Sequence, residues 1–351
     1  MATRHSSPSI VNVAAWLLSI GLVLVLVIVG KDYLVPIFTA LVVWYLVNAL
    51  STLFQRVPVI GKYLPEGVTL VLSLVFIGLS LYMLGDTLVS TVQGFVQDSP
   101  KYLPRLEAQI DKVISVVNPS AEPYRLDQQE LLATIARNWT LLLASFGNFA
   151  KGLFLVLLYV LFFILEQGVF GKKMAALGLG LDTPNRLSVV LREVNTAMRT
   201  YLGVKTLTSL LTAILSWIVF LAIGLDFALF WAFLIFLFNY VPTIGSITAT
   251  GLPALLALVQ FPDSLSPFLI VALGVSAIQV LIGNILEPRL MGDTLNISPL
   301  VVVLSLILWS LLWGIVGMLL SVPITVAIII ICAQFPTTRN VAILLSKNGK
   351  V

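Results

Sequence analysis

Asn239, Tyr240, Pro242 and Gly245 interrupt an apolar run that extends from residue 227 to residue 260. Proline removes a backbone donor and glycine admits irregular backbone, so a helix that carries both so close together must open there. Lipid offers the freed backbone groups no partner, and the break has to be enclosed by protein or face water. Helix ends meeting at such a break direct amides and carbonyls inward, where they can hold a polar solute or a cation. Asn239 and Tyr240, with Asn284 further along, add neutral donors and acceptors suited to a small hydroxylated solute. The competing reading is a plain loop between two ordinary crossings.

Glu287-Pro288-Arg289 closes the next apolar run, residues 267–286. The Glu287 carboxylate can carry a proton or a cation with Arg289 tuning its pKa, or the two can clasp each other at the membrane edge. Asp86 is a third candidate for ion coupling, although a carboxylate at the end of its run also suits a wet interface. Thr208, Thr212 and Ser216 follow Lys205 at helical spacing in the run 202–225. Such a stripe either lets helices approach closely or lines a path. Gly314 and Gly317 break a further long run, residues 299–335, which also carries Pro323. At about 1.5 Å per residue each broken run is ~50 Å long as a helix, too long for one straight crossing of a ~30 Å core. A re-entrant hairpin or a broken helix fits both, and their shared layout suggests an internal repeat.

Of the 351 residues, 59% are hydrophobic and 10% charged. Soluble domains carry roughly 25% charged residues, so most of this chain must meet lipid or other apolar helices. The net charge of +4 is dispersed between the apolar runs, which excludes nucleic acid as a partner and makes the basic residues orientation signals. The single histidine, His5, and the single cysteine, Cys332, leave no zinc cluster and no internal disulfide. There is no phosphate-binding glycine loop and no nucleophile–base set. Neither a cofactor, a metal nor an enzymatic activity is expected.

The expected fold is all-α and polytopic, with about eight hydrophobic segments. Residues 1–92 hold three membrane helices, with the first two runs, 10–30 and 33–54, joined at Lys31-Asp32. Residues 93–138 form a helical insert, opened by Pro100 and Pro104, that carries acids in excess and lies outside the cytoplasm. Its apolar seam, Leu103, Leu106, Ile110, Val113 and Val117, calls for a partner helix, either within the chain or in another copy. A fourth membrane helix occupies residues 139–165. The basic segment 166–201 follows as a cytoplasmic amphipathic stretch lying along the membrane surface. Residues 202–335 form the C-terminal core, and 336–351 a cytoplasmic tail. Both termini are then cytoplasmic.

With these residues in view, the chain resembles the autoinducer-2 exporter family of bacterial membrane proteins. The likeness rests on Asn239-Tyr240-Val241-Pro242-Thr243-Ile244-Gly245-Ser246, on Gly283-Asn284 with Glu287-Pro288-Arg289, and on Ser298-Pro299 leading to Trp313-Gly314, Gly317 and Pro323. The resemblance implies a multi-pass transporter of the bacterial inner membrane that exports a small polar signal by a secondary mechanism. Some members of the family look like sodium/proton antiporters instead. A membrane scaffold or regulator that transports nothing is the alternative of another class. The implied partners are the lipid bilayer, a small polar solute or cation, and further copies of the chain.

Overall fold

A computed structural model of the chain describes residues 10–57, 63–117, 152–173, 176, 186–292 and 296–350. The described residues are helical, with no strand among them. Six of the helices are long and apolar enough to cross a membrane, so the all-α polytopic expectation holds.

The first two helices, α1 (Ile10–Val29) and α2 (Lys31–Arg56), meet at Gly30, whose φ −81° and ψ 4° stay close to the helical basin. The chain bends there and does not double back. Val27, Leu34, Phe38 and Val42 accordingly share one face on both sides of the bend. Helix α3 (Glu66–Val117) is 52 residues long, about 78 Å. It runs through Pro100 and Pro104, where the sequence predicts the start of a separate insert helix. Each proline costs one helical hydrogen bond, and beyond the end of a membrane crossing the freed carbonyl can be hydrated instead of stranded in lipid. The rest of the insert, residues 118–138, lies outside the described residues, as does the start of the fourth membrane helix.

Helix α4 (Gly152–Lys173) packs with α2 and α3 through Ala40, Val47, Leu70, Val156 and Val160. Small polar residues bring α2 and α3 together, and Ser51 Oγ lies 2.8 Å from Thr69 Oγ1 in a buried contact. Helix α5 (Arg186–Ile223) joins in one element what the sequence suggests as a surface helix and a fifth span. No proline stands between Pro184 and Gly224, and Gly203, the one glycine between them, is helical. In its first half, Ala197, Met198, Tyr201 and Leu202 pack on Val322 and Val326.

The two long C-terminal runs are hairpins. In the first, α6 (Ala228–Phe238) and α7 (Ile244–Gln260) are antiparallel arms around a tip at residues 239–243. Helix α8 (Ser266–Met291) crosses next and widens into a π-helical turn at Val280–Leu286. Helix α9 (Pro299–Gln334) reverses at Gly314, where φ is 63° and ψ −141°. The Trp309 indole reaches Thr325 Oγ1 at 3.3 Å, a contact across sixteen residues that only folded-back arms allow. A short helix, α10 (Arg339–Leu345), caps the base, and the Ser298 amide donates to the Leu345 carbonyl at 3.0 Å.

Opposite ends of α5 hold the two hairpin bases. At its Ile223 end, the Asp226 amide donates to Gln260 Oε1 and Gln260 Nε2 donates to the Gly224 carbonyl, both at 2.9 Å. Toward its Arg186 end, Gln334 Nε2 donates to Glu193 Oε2 at 3.1 Å. The hairpins therefore enter from opposite ends of a helix about 57 Å long.

Candidate functional site

The hairpin tips share a construction. A Cβ built on Gly245 would stand 1.8 Å from the Phe238 carbonyl oxygen and 3.3 Å from the Val241 Cβ. One on Gly317 would stand 1.9 Å from the Trp309 oxygen and 3.0 Å from the Trp313 Cβ. In each tip the returning arm crosses directly over a carbonyl of the arm that entered, and only glycine leaves room. Thr243 takes φ 61° in the first tip, and Gly314 takes the corresponding left-handed residue in the second. Pro253 and Pro323 follow inside the returning arms, both buried.

The partners of the two tips differ. Asn239 Nδ2 donates to Ser209 Oγ at 3.2 Å, and the Tyr240 hydroxyl lies 2.7 Å from Thr206 Oγ1, so the first tip is tied to the middle of α5. Pro242 lies at its apex, half-buried, and its carbonyl accepts from the Ile244 amide. The second tip faces α1 and α2: Trp313 Nε1 donates to the Val27 carbonyl at 3.1 Å and its ring meets Phe38. The arms of the hairpins do not touch each other. Among the described residues the two tips have separate partners, α5 for the first and α1 with α2 for the second.

Beside the first tip lies a buried ion pair. Lys205 Nζ sits 2.7 Å from Glu287 Oε1 and 2.9 Å from Oε2, with side-chain exposures of 10% and 14%. Thr208 Oγ1 lies 3.3 Å from Oε2. Glu287 follows the π-helical turn, whose extra residue rotates what comes after it relative to a regular helix. Arg289 is exposed and makes no ion pair with this carboxylate among the described residues. Residues two apart on a helix point to different sides, so Glu287 can face α5 only if Arg289 faces away. Asn284, in the same turn, is exposed, as is Asp86 on α3, and neither joins the cluster.

The polar stripe of α5 continues from this pair. Thr208 and Thr212 are buried, and Thr212 donates to the Thr208 carbonyl at 2.8 Å. Ser216 is fully buried, and its hydroxyl has no partner among the described residues; the same holds for Trp231 Nε1 on α6 and Gln279 Nε2 on α8. Such orphaned groups are rare inside proteins and mark places where water or a polar solute belongs. The first tip and Glu287 thus meet the same stretch of α5, residues 205–209, from which the stripe runs on to Ser216. Gly314, Gly317 and Pro323 shape a second tip that contributes to none of this.

Lys205, Thr206 and Ser209 are the members of this site that the sequence did not single out as such. The signal for Lys205 was present: it begins a helical polar stripe inside an apolar run, where an unpaired lysine would be costly.

Fold and site together define a polytopic membrane transport protein with re-entrant hairpins. The family described as AI-2E family transporter matches residues 16–337, and the chain belongs to that family. It is 32% identical over 324 residues to the "Putative transport protein" of Haemophilus influenzae, covering 89% of this chain and 88% of the relative. It is 31% identical over 332 residues to the "AI-2 transport protein TqsA" of Escherichia coli K12, covering 92% and 91%. A third relative, the "Putative transport protein YhhT" of the same organism, is 30% identical over 328 residues, covering 93% and 91%.

Proposed function

We propose that this transporter is a secondary carrier that exports a small polar, hydroxylated solute of the autoinducer-2 kind across the bacterial inner membrane, with both termini in the cytoplasm. The supporting observation is the pair of hairpins rooted at opposite ends of α5. The first ties Asn239 and Tyr240 to Ser209 and Thr206 of α5, beside the Lys205–Glu287 pair. Hairpins of opposite sense give each side of the membrane its own gate. Displacing the first hairpin along α5 breaks the Asn239–Ser209 and Tyr240–Thr206 contacts and opens the polar stripe to one side. The likeness to the E. coli protein named for AI-2 transport supports the choice of solute. The test is efflux from proteoliposomes loaded with labelled polyols and furanose-like solutes, under imposed proton or sodium gradients. Gradient-dependent efflux absent from empty liposomes supports the reading, and solute retention under every gradient overturns it.

A second reading, sodium/proton exchange, is favoured by the Lys205–Glu287 pair. A cation that takes Glu287 competes with the Lys205 ammonium for the same carboxylate, so cation binding and the ion pair exclude each other. Sodium-driven pH changes in vesicles without organic solute distinguish this exchange from solute export.

The carrier self-associates in this proposal through the apolar seam of the α3 extension, where Leu106 and Ile110 are half-buried. Charged replacements at both positions should reduce the particle size; an unchanged size would place the seam within one chain.

A further inference from the structure

Beyond the transport site, the cleft between the last turns of α2 and the first half of α5 holds a second arrangement that the carrier reading leaves unused. Arg56, the last residue of α2, and Arg199 of α5 line one cavity of about 170 Å³ together with Tyr45. Both guanidinium groups are unpaired: neither has a carboxylate or a hydrogen-bond acceptor among the described residues, and the Tyr45 hydroxyl has no hydrogen-bond partner among them either. Two cations left side by side without an acid repel each other and are stabilised by an anion placed between them.

The donor set specifies the anion. A guanidinium presents a planar fork of N–H groups matched to phosphate or carboxylate oxygens, and a phenol adds one further donor. The rest of the lining is apolar except for Thr52, whose hydroxyl donates to the Asn48 carbonyl. Leu53, Leu202 and Gly203 form its walls. A closed site for a free small molecule occupies roughly 300–1,000 Å³, so this cavity holds a head group and leaves the remainder of the ligand outside. Outside, α5 supplies a track: Gly203, Leu207, Leu210 and Ile214 are exposed at spacings of four, three and four, along one face that leads away from the arginines. That apolar lane fits an acyl chain, and an inorganic anion would have no use for it.

We propose that this cleft is a specific site for an anionic phospholipid, with the phosphodiester held by Arg56, Arg199 and Tyr45 and one acyl chain lying along the exposed face of α5. The site differs from general attraction of basic residues to acidic membranes because it needs the cavity as well as the charge. Gly203 makes that difference testable, since a Cβ there meets nothing within 4 Å. Gly203→Phe therefore fills the cleft while leaving both arginines and the helix packing in place.

The experiment is native mass spectrometry of the full-length protein released from mixed phosphatidylglycerol and phosphatidylcholine micelles. Variants are Arg56→Gln/Arg199→Gln and Gly203→Phe, each checked for an unchanged melting temperature in zwitterionic detergent. Wild type should retain phosphatidylglycerol roughly tenfold over phosphatidylcholine, and both variants should lose that preference. Inorganic phosphate at millimolar concentration should not displace the lipid. Retention unchanged in both variants, or equal retention of the two lipids by wild type, overturns the site. Loss in the arginine variant alone reduces it to diffuse charge attraction, and displacement by inorganic phosphate reduces it to a phosphate site without lipid; either result overturns the lipid assignment.

Discussion

Lys205 and Glu287 are 82 residues apart in sequence, yet the ammonium of one bridges both carboxylate oxygens of the other, at 2.7 and 2.9 Å. Removing one partner leaves a buried charge without compensation, which costs about 3–5 kcal/mol. Lys205→Gln and Glu287→Gln should each lower thermal stability by that order. The double variant should recover most of the loss, because two neutral amides can pair. Flux measured in the stable double variant then decides the role of the pair: a carrier that works without it uses the charges only to join α5 to α8.

Gly245 and Gly317 should be intolerant for one shared reason. Alanine at either position places its Cβ 1.8 or 1.9 Å from a carbonyl oxygen, far inside van der Waals contact. The returning arm must then lift off the tip. Gly245→Leu and Gly317→Leu should reduce solute flux at least tenfold while the protein still resists alkaline extraction from membranes. Full flux in both variants would mean that the tips do not shape the pathway. Gly251, where a Cβ would meet nothing within 4 Å, is the control and should accept alanine without effect.

The C-terminal part of α3 grips the base of the first hairpin. Tyr102 donates to Asp226 Oδ2 at 2.5 Å, Arg105 donates to the Gln260 carbonyl at 2.9 Å, and Gln109 donates to the Pro262 carbonyl at 2.8 Å. Hydrogen bonds involving a charged group are worth about 1.5–3 kcal/mol each. Tyr102→Phe combined with Arg105→Ala should therefore speed amide exchange at residues 224–228, 260 and 261 by tenfold or more. Exchange at wild-type rates would show that the grip contributes nothing to holding the hairpin.

Orientation is open to a direct check. The insert 93–138, which carries acids in excess, should lie outside the cytoplasm and the basic segment after α4 inside it. In a Cys332→Ala background, an impermeant maleimide applied to intact cells should label a cysteine at Lys112 and spare one at Lys173. The reverse pattern would invert the whole arrangement.

The hairpins were legible in the sequence because two independent constraints met in the same places. Each run was too long to cross once, and each carried glycine where the backbone had to break. The ion pair was only half legible. Glu287 stood out, but its nearest cation in sequence was Arg289, and a helix turns that residue to another side. Lys205 could be matched to it only once α5 and α8 were known to be neighbours. Nothing in Val280–Leu286 announces a π-helical turn, since widening of a helix depends on its packing more than on its residues. The continuity of α3 through Pro100 and Pro104 was hidden for a related reason: a proline reads the same in sequence whether the helix stops at it or, as also at Pro253 and Pro323, continues through it.

Half of the most apolar stretch of α9 is enclosed by protein, against 17% for that of α2. This enclosure imposes an order on biogenesis. A segment that turns at Gly314 stops within the bilayer, so the insertion machinery must admit it from one side without passing it through. Its reversed backbone finds support only from neighbours such as Val27 and Phe38, which emerge from the ribosome first. The N-terminal helices thus serve as a cradle already in the membrane when the last hairpin is made. A chain that lost α1 and α2 would lose two helices and also the site at which its final hairpin acquires its shape.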